Sequence, residues 1–222
     1  AVYLVPLRHP TPIAKELSTL DHLTEGRVIF GAGIGGEFPK EYEACGVPIK
    51  ERGPRLGESI EVMRKLWTGR AATHEGRFFR FKDVVMQPPP RQPGGIPIWT
   101  GGRSAAALAR SARLADGWVG YAVTPQMYRD ALDAIGGHPD FAARKIGTFG
   151  TGHLLFTCVD ESYEKAFAAA NATLSKRYAM DFTAATGKYA ALGRPEQVAA
   201  KIREFHAAGL RHVILDLVGP FE

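Results

Sequence analysis

The residues of this 222-residue chain that suggest chemistry are mostly glycines. Gly101-Gly102-Arg103-Ser104 follow an apolar run, Ile96 to Trp99, and lead into an alanine-rich stretch opening at Ala105. Paired glycines let a backbone approach a ligand and adopt torsions closed to other residues. A helix that opens directly afterwards presents free N–H groups and a positive dipole end, both of which attract an anion. A phosphate suits such a corner, held by amides from Gly102 to Ala105, the Ser104 hydroxyl and the Arg103 guanidinium. A tight turn with Ser104 as an ordinary N-cap suits it equally.

Gly31-Ala32-Gly33-Ile34-Gly35-Gly36 has glycines at the first, third and sixth places of a dinucleotide fingerprint. The rest of that fingerprint is missing: Pro39 interrupts the helix, and no strand with a terminal acid ends near position 55. A loop that lets a flat cofactor lie against the main chain suits the stretch better, with a flexible strand-to-helix loop as the alternative.

Among titratable residues, His9 is the candidate for catalysis, as a hydrogen-bonding group for a ring or substrate. It also reads as a loop histidine ahead of a helix. His153 reads as a core or edge residue. Asp116 is expected to fix the turn before a strand, and Arg27 to meet a helix-end carbonyl or an acid. Asp216 lies inside an apolar strand, where it can face a barrel mouth and would need partners. Trp118 and Phe30 read as core. No GxSxG accompanies a base, no HxH or HExxH is present, and Cys45 and Cys158 lie far apart. Hydrolase and metal chemistry therefore lack support, and reduced cytoplasmic thiols are expected. The formal net charge of +5 is spread without a basic run, so nucleic acid is not an expected partner. No apolar run approaches the roughly 20 residues of a membrane span, and no signal peptide is visible.

These residues need elements to position them. Apolar runs at Val2–Leu7, Val28–Phe30, 96–100, Gly117–Tyr121, His153–Val159 and His212–Val218 predict six strands. Nearly every position in each is apolar, as in a parallel sheet covered on both faces. Helices are predicted between them: Pro12–Leu23 with Thr11 as N-cap and Ile13, Leu17, Leu20 and Leu23 on its apolar face, Glu37–Ala44, Pro54–Trp67, 104–114, Thr124–Ile135, Ser162–Tyr178 and Pro195–Ala207. A single domain over 1–222 carries an insertion at about 71–95, a hairpin turning at Glu75-Gly76 followed by the extended surface loop "QPPPRQPGG". "FTAATGKYAALGRP" reads as a loop. A closed β/α barrel and an open doubly wound sheet both fit this order. The chain opens inside an apolar run without Met, so further N-terminal sequence is expected.

Four segments, "PLRHPTPIAKELSTLDHLTEGRVIFGAGIGGEFPKEYEACGVP", "RGPRLGESIEVMRKLWTG", "PPPRQPGGIPIWTGGRSAAALARSARLADGWVGY" and "GRPEQVAAKIREFHAAGLRHVILDL", resemble in that order the bacterial luciferase-like monooxygenases. The resemblance implies a (β/α)8 TIM barrel, here from its third strand to its eighth and lacking the first two βα units. It implies an oxidoreductase using reduced FMN or coenzyme F420. The first activity implied is monooxygenation of a small organic substrate; hydride transfer without oxygen and non-catalytic flavin binding are the alternatives, and a phosphosugar-type barrel enzyme is a further class. NAD(P)H as indirect electron source, a separate flavin reductase and a homodimer belong to the same implication. It places the cofactor phosphate at Gly101, Gly102, Arg103 and Ser104. It also places a non-proline cis peptide at Ala1-Val2 beneath the ring, with Gly33, Glu37 and Tyr121 lining ring and substrate.

Overall fold

The structure, a computed structural model, describes residues 2–36, 38–144 and 148–219. Along the chain its strands are β1 (Tyr3–Leu4), β2 (Phe30–Gly33), β3 (Ala72–Glu75), β4 (Arg80–Val84), β5 (Ile98–Gly101), β6 (Gly117–Tyr121), β7 (Gly150–Val159), β8 (Ala191–Gly193) and β9 (His212–Leu217). The helices are α1 (Pro10–Leu23), α2 (Pro39–Ala44), α3 (Arg52–Leu66), α4 (Ala105–Leu114), α5 (Pro125–Gly136), α6 (Pro139–Ala143), α7 (Tyr163–Tyr178), α8 (Thr183–Tyr189) and α9 (Pro195–Ala207).

The main sheet is wholly parallel. β1, β2, β5, β6 and β7 lie side by side in that order, and β9 pairs the far side of β7. Each strand is laid down next to its predecessor, always in one direction. A doubly wound sheet reverses direction at a switch point, so this order is that of a barrel wall. The six strands read from the sequence are the six that make this wall. β8 is an addition: it pairs the last three residues of the long β7, Thr157 to Val159. Together with α8 it occupies the stretch expected to be a loop. Its helix spans only seven residues, too short to declare an apolar face.

Three apolar groups fill the space between sheet and helices. One joins α1, α3 and β2 through Ile13, Phe30, Leu56, Ile60, Met63 and Trp67. The second packs Trp118 and Tyr128 against Phe205 of α9. The third sits between β7, α7 and β8, around Phe156 and Leu174. Trp118 and Phe30 are buried as expected.

Helix α1 departs from expectation in two ways. Its N-cap is His9, whose side chain accepts from the Thr11 amide at 3.2 Å, with Pro10 in the first turn; Thr11 is already inside the helix. Leu20 and Leu23 are 45% and 78% exposed, while Ile13, Ala14, Ser18 and Asp21 are buried. The cause is the proline-rich segment, which cannot pair its backbone in a ladder. It uses α1 instead. Ser18 donates to the Pro88 carbonyl at 2.6 Å, and Asp21 accepts from the Gln92 amide at 3.0 Å and its Nε2 at 2.8 Å. The hairpin is held similarly: Glu58 of α3 accepts from the Phe79 amide at 2.8 Å, the Phe78 amide at 3.0 Å and the Arg77 amide at 3.1 Å.

Candidate active site

Strand direction places the C-terminal ends of β1, β2, β5, β6 and β9 around one cavity of about 590 Å³. Val2, Gly33, Gly101, Gly102, Arg103 and Tyr121, all expected at the site, line it. Ala1, with the Ala1-Val2 peptide, and Glu37 lie outside the described residues. Ser104 is next to the cavity lining, at the N-cap of α4.

The glycine corner is open. Gly101 ends β5, and Gly102 has φ +99°, a torsion that favours glycine. A Cβ at Gly102 would stand 2.8 Å from that of Ala107. The Gly102 carbonyl is turned inward, accepting from Trp118 Nε1 at 2.9 Å. Ser104 accepts from the Ala107 amide at 3.3 Å, which leaves its own O–H to donate. Among the described residues the amides of Arg103 to Ala106 donate to no protein group. Residues 102–106 are exposed, so side chains do not plug the corner. Arg103 donates to the Ala122 carbonyl at 2.6 Å, which holds its guanidinium at the rim. Open amides, a positive φ and a guanidinium fit a phosphate-bearing cofactor tail.

The second glycine stretch serves packing as well as access. A Cβ at Gly33 would lie 2.4 Å from Val2 Cγ2, and one at Gly35 2.9 Å from Leu4 Cδ2. The room these glycines leave is taken by the side chains of β1 and its preceding residue. Gly35 and Gly36 have φ of +55° and +122°. Buried Tyr42 of α2 donates to the Ile34 carbonyl and ties the loop down.

His9 does not line the cavity. Its ring caps α1 and meets Phe79 edge-on at 5.0 Å, and burial lowers its pKa. This is the role of a helix cap, not of a group facing a substrate. His153 is 1% exposed, lies 4.4 Å from the Phe205 ring and is held neutral by burial down to a pKa of about 4. Asp116 sits at the opposite end of the sheet, accepting from the Ile98 amide at 2.9 Å, Arg64 at 2.8 Å and Arg144 at 3.4 Å. Arg27 donates to the carbonyl of Thr24, the C-cap of α1, at 2.8 Å.

The partner that Asp216 needs is Arg177, at 2.7 Å, and both line the cavity. Hydrogen bonding and charge from Asp216 raise the Arg177 pKa. Sequence reasoning missed Arg177 and its neighbour Tyr178, whose hydroxyl is hydrogen-bonded to that of Tyr121. No local signal marked them: barrel sites form on the loops that leave the strands' C-terminal ends, and these two residues lie on the last turn of a helix, Tyr163–Tyr178. Among the described residues no group of His, Cys, Asp and Glu could hold a metal ion.

The sequence profile of the luciferase-like monooxygenases matches residues 1–212. The chain belongs to this family. Its relatives include an uncharacterised protein of Mycobacterium tuberculosis, 42% identical over 118 residues, which are 53% of this chain and 40% of that protein. The chain thus spans about two-fifths of the length of such relatives. Another is the F420-dependent glucose-6-phosphate dehydrogenase of Nakamurella multipartita, 27% identical over 95% of this chain and 68% of that one. Among solved structures, the monooxygenase RslO1 from Streptomyces bottropensis superposes with a TM-score of 0.82 at 23% identity, covering 99% of this chain and 70% of that chain. That likeness shows the fold, the luciferase-like β/α barrel. No helix among the described residues is long and apolar enough to cross a membrane.

Proposed function

We propose that this chain forms the cofactor-binding wall of a luciferase-like oxidoreductase that uses reduced FMN or the deazaflavin F420. The observation that carries the reading is the open corner at Gly101–Ser104, placed at the mouth of a cavity where parallel strands end. When bound, the reduced ring supplies the electrons, to O2 in a monooxygenase or as a hydride in a dehydrogenase. The amides of Arg103 to Ala106, the Ser104 hydroxyl and the Arg103 guanidinium hold the anionic tail. Leu4, Ile34, Phe38, Val119 and Leu154 supply apolar walls that exclude water. Tyr121 and Tyr178 supply polar contact at the end of β6.

Monooxygenation is the first reading. Hydride transfer is the second, supported by the F420-dependent relative that aligns with 95% of the chain. Absorbance titration with FMN and with F420 separates them. FMN binding with NAD(P)H-dependent oxygen uptake supports the monooxygenase. F420 binding without FMN binding supports hydride transfer. Binding without turnover in the full-length protein supports a flavin carrier, and failure to bind either cofactor refutes the proposal.

A further inference from the structure

We propose that a second cavity, between α3, α4 and the β3–β4 hairpin, binds a small monocarboxylic acid whose carboxylate pairs with the Arg110 guanidinium. The inference is independent of the cofactor reading. Among the described residues this cavity shares no lining residue with the one at the strand ends.

The cavity has a volume of about 850 Å³. Gly53 and Gly57 of α3, Ala106 and Arg110 of α4, and Phe78 of the hairpin line it. Arg110 is 9% exposed. A Cβ at Gly53 would stand 3.1 Å from its Nη1, so the guanidinium lies against a position of α3 that carries no side chain. Among the described residues it has neither a hydrogen-bond acceptor nor an ion pair. A buried arginine is normally paired. Sheltered arginines elsewhere in the chain follow that rule: Arg55 meets Glu51 at 3.1 Å, and Arg144 meets Asp116 at 3.4 Å. Burial and the like charges of Arg113 and Arg52 push the Arg110 pKa down.

The acids around the cavity do not supply the missing acceptor. Glu58 is engaged by the Arg77, Phe78 and Phe79 amides and by His74. Glu61, Glu75 and Asp140 line the cavity as exposed residues and make no ion pair with Arg110. Arg110 therefore has space in front of it and no acceptor.

The class of ligand follows from the donor. A guanidinium offers parallel N–H groups that a carboxylate accepts through both oxygens. Among the described lining residues, Arg110 and His74 are the buried polar ones, and His74 Nε2 is already bonded to Glu58 at 3.3 Å. One buried guanidinium answers one negative charge. The exposed lining carries both signs, Arg77 and Arg113 beside Glu61, Glu75 and Asp140, so it selects no second anionic group. Phe78, Leu114 and Pro54 offer an apolar wall to the body of the acid. The Phe78 ring is held in place by the Arg55 and Arg77 guanidinium groups, 4.5 and 4.8 Å from its centre.

The test is calorimetric titration of the full chain with benzoate, benzamide (the same shape without the charge), acetate and inorganic phosphate. The Arg110 Nε–H signal is followed in parallel by 15N NMR, with Arg110→Lys assigning it. Benzoate is expected to shift that signal and to bind about tenfold or more tightly than benzamide, the scale of one charged hydrogen bond. It is expected to bind more tightly than acetate, which has no body to meet the apolar wall, and than phosphate. Arg110→Met is expected to lose benzoate binding and to leave the FMN and F420 titrations as they are in the parent. Should that variant fail to fold, the Arg110 signal of the parent makes the same test. Absence of benzoate binding, equal binding of benzoate and benzamide, binding that survives Arg110→Met or leaves the Arg110 signal unmoved, or tighter binding of phosphate overturns the inference. Conversion of a dimer to monomers by benzoate, seen by size-exclusion chromatography, would assign the carboxylate to a second copy of the chain and overturn it as well.

Discussion

Gly102 and Ala107 are pressed together at the turn between β5 and α4: a Cβ on Gly102 would stand 2.8 Å from the Ala107 methyl. With φ at +99° the position is closed to a side chain on two counts. Gly102→Val is expected to push the turn outward, misplace the following amides and weaken FMN or F420 binding by about tenfold or more, the scale of one charged hydrogen bond. Gly94→Ala is the control. It carries similar strain, φ +84°, on the proline-rich loop with nothing within 4 Å. It should cost stability and leave cofactor affinity alone. Equal affinity of Gly102→Val and the parent, in a fluorescence titration, would sink the phosphate assignment.

Asp116 gathers the Ile98 amide, Arg64 and Arg144 at the N-terminal ends of β5 and β6. Asp116→Ala removes the acceptor of the Ile98 amide and the carboxylate partner of two guanidinium groups, which keep only the carbonyls of Leu114 (Arg64) and of Ala112 and Ala115 (Arg144). The expected loss is about 2–3 kcal/mol, or roughly 4–12 °C in Tm for a chain of this size. Because Asp116 lies at the far end of the sheet from the cavity, cofactor affinity should hold below the melting range. Calorimetry paired with cofactor titration checks both halves.

Glu58 anchors the hairpin through three backbone amides and His74. Burial pushes its carboxyl pKa up, but the Phe79 and Phe78 amides and His74 outweigh burial and hold it below the usual value. A depressed carboxylate stabilises the fold above its unfolded pKa, about 4.3, and that stabilisation fades as pH falls through the folded value. Glu58→Gln should therefore cost about 2 kcal/mol near neutrality. The gap between variant and parent should narrow below about pH 4. A gap independent of pH, in urea melts across this range, would contradict the assignment.

His153 runs the opposite way in charge. Burial keeps its ring neutral to a pKa of about 4, whereas an unfolded histidine titrates near 6.5. Between these values the unfolded chain binds the proton and the folded chain does not. Stability should fall from about pH 6.5 to about pH 4, by roughly 3 kcal/mol in total, and then level off on this account. His153→Leu should flatten that limb of the stability-pH curve. An unchanged slope would show that other groups set it.

Much of the fold could be read in advance because local signals were strong. Six apolar runs with helical stretches between them marked the barrel wall, and Pro195 marked the first turn of α9. Local signals failed where a distant segment claimed the surface. Leu20 and Leu23 carry helical spacing, yet α1 turns Ser18 and Asp21 inward because the loop 87–95 needs hydrogen-bond partners. His9 looked available for chemistry until the start of α1 one residue later made it a cap.

By itself the sequence determined the glycines at the β5 corner and the alternation that makes a parallel wall, since torsional freedom and burial are properties of residue type. Six of the residues named as site candidates meet at one cavity for that reason. Only the tertiary structure decided between barrel and open sheet, because the direction of winding appears only when strands pair. It alone brought Arg177 to Asp216, 39 residues away along the chain, and Tyr178 to Tyr121, 57 residues away. Such pairs leave no periodic trace, because they arise where separate elements end at the same place in space.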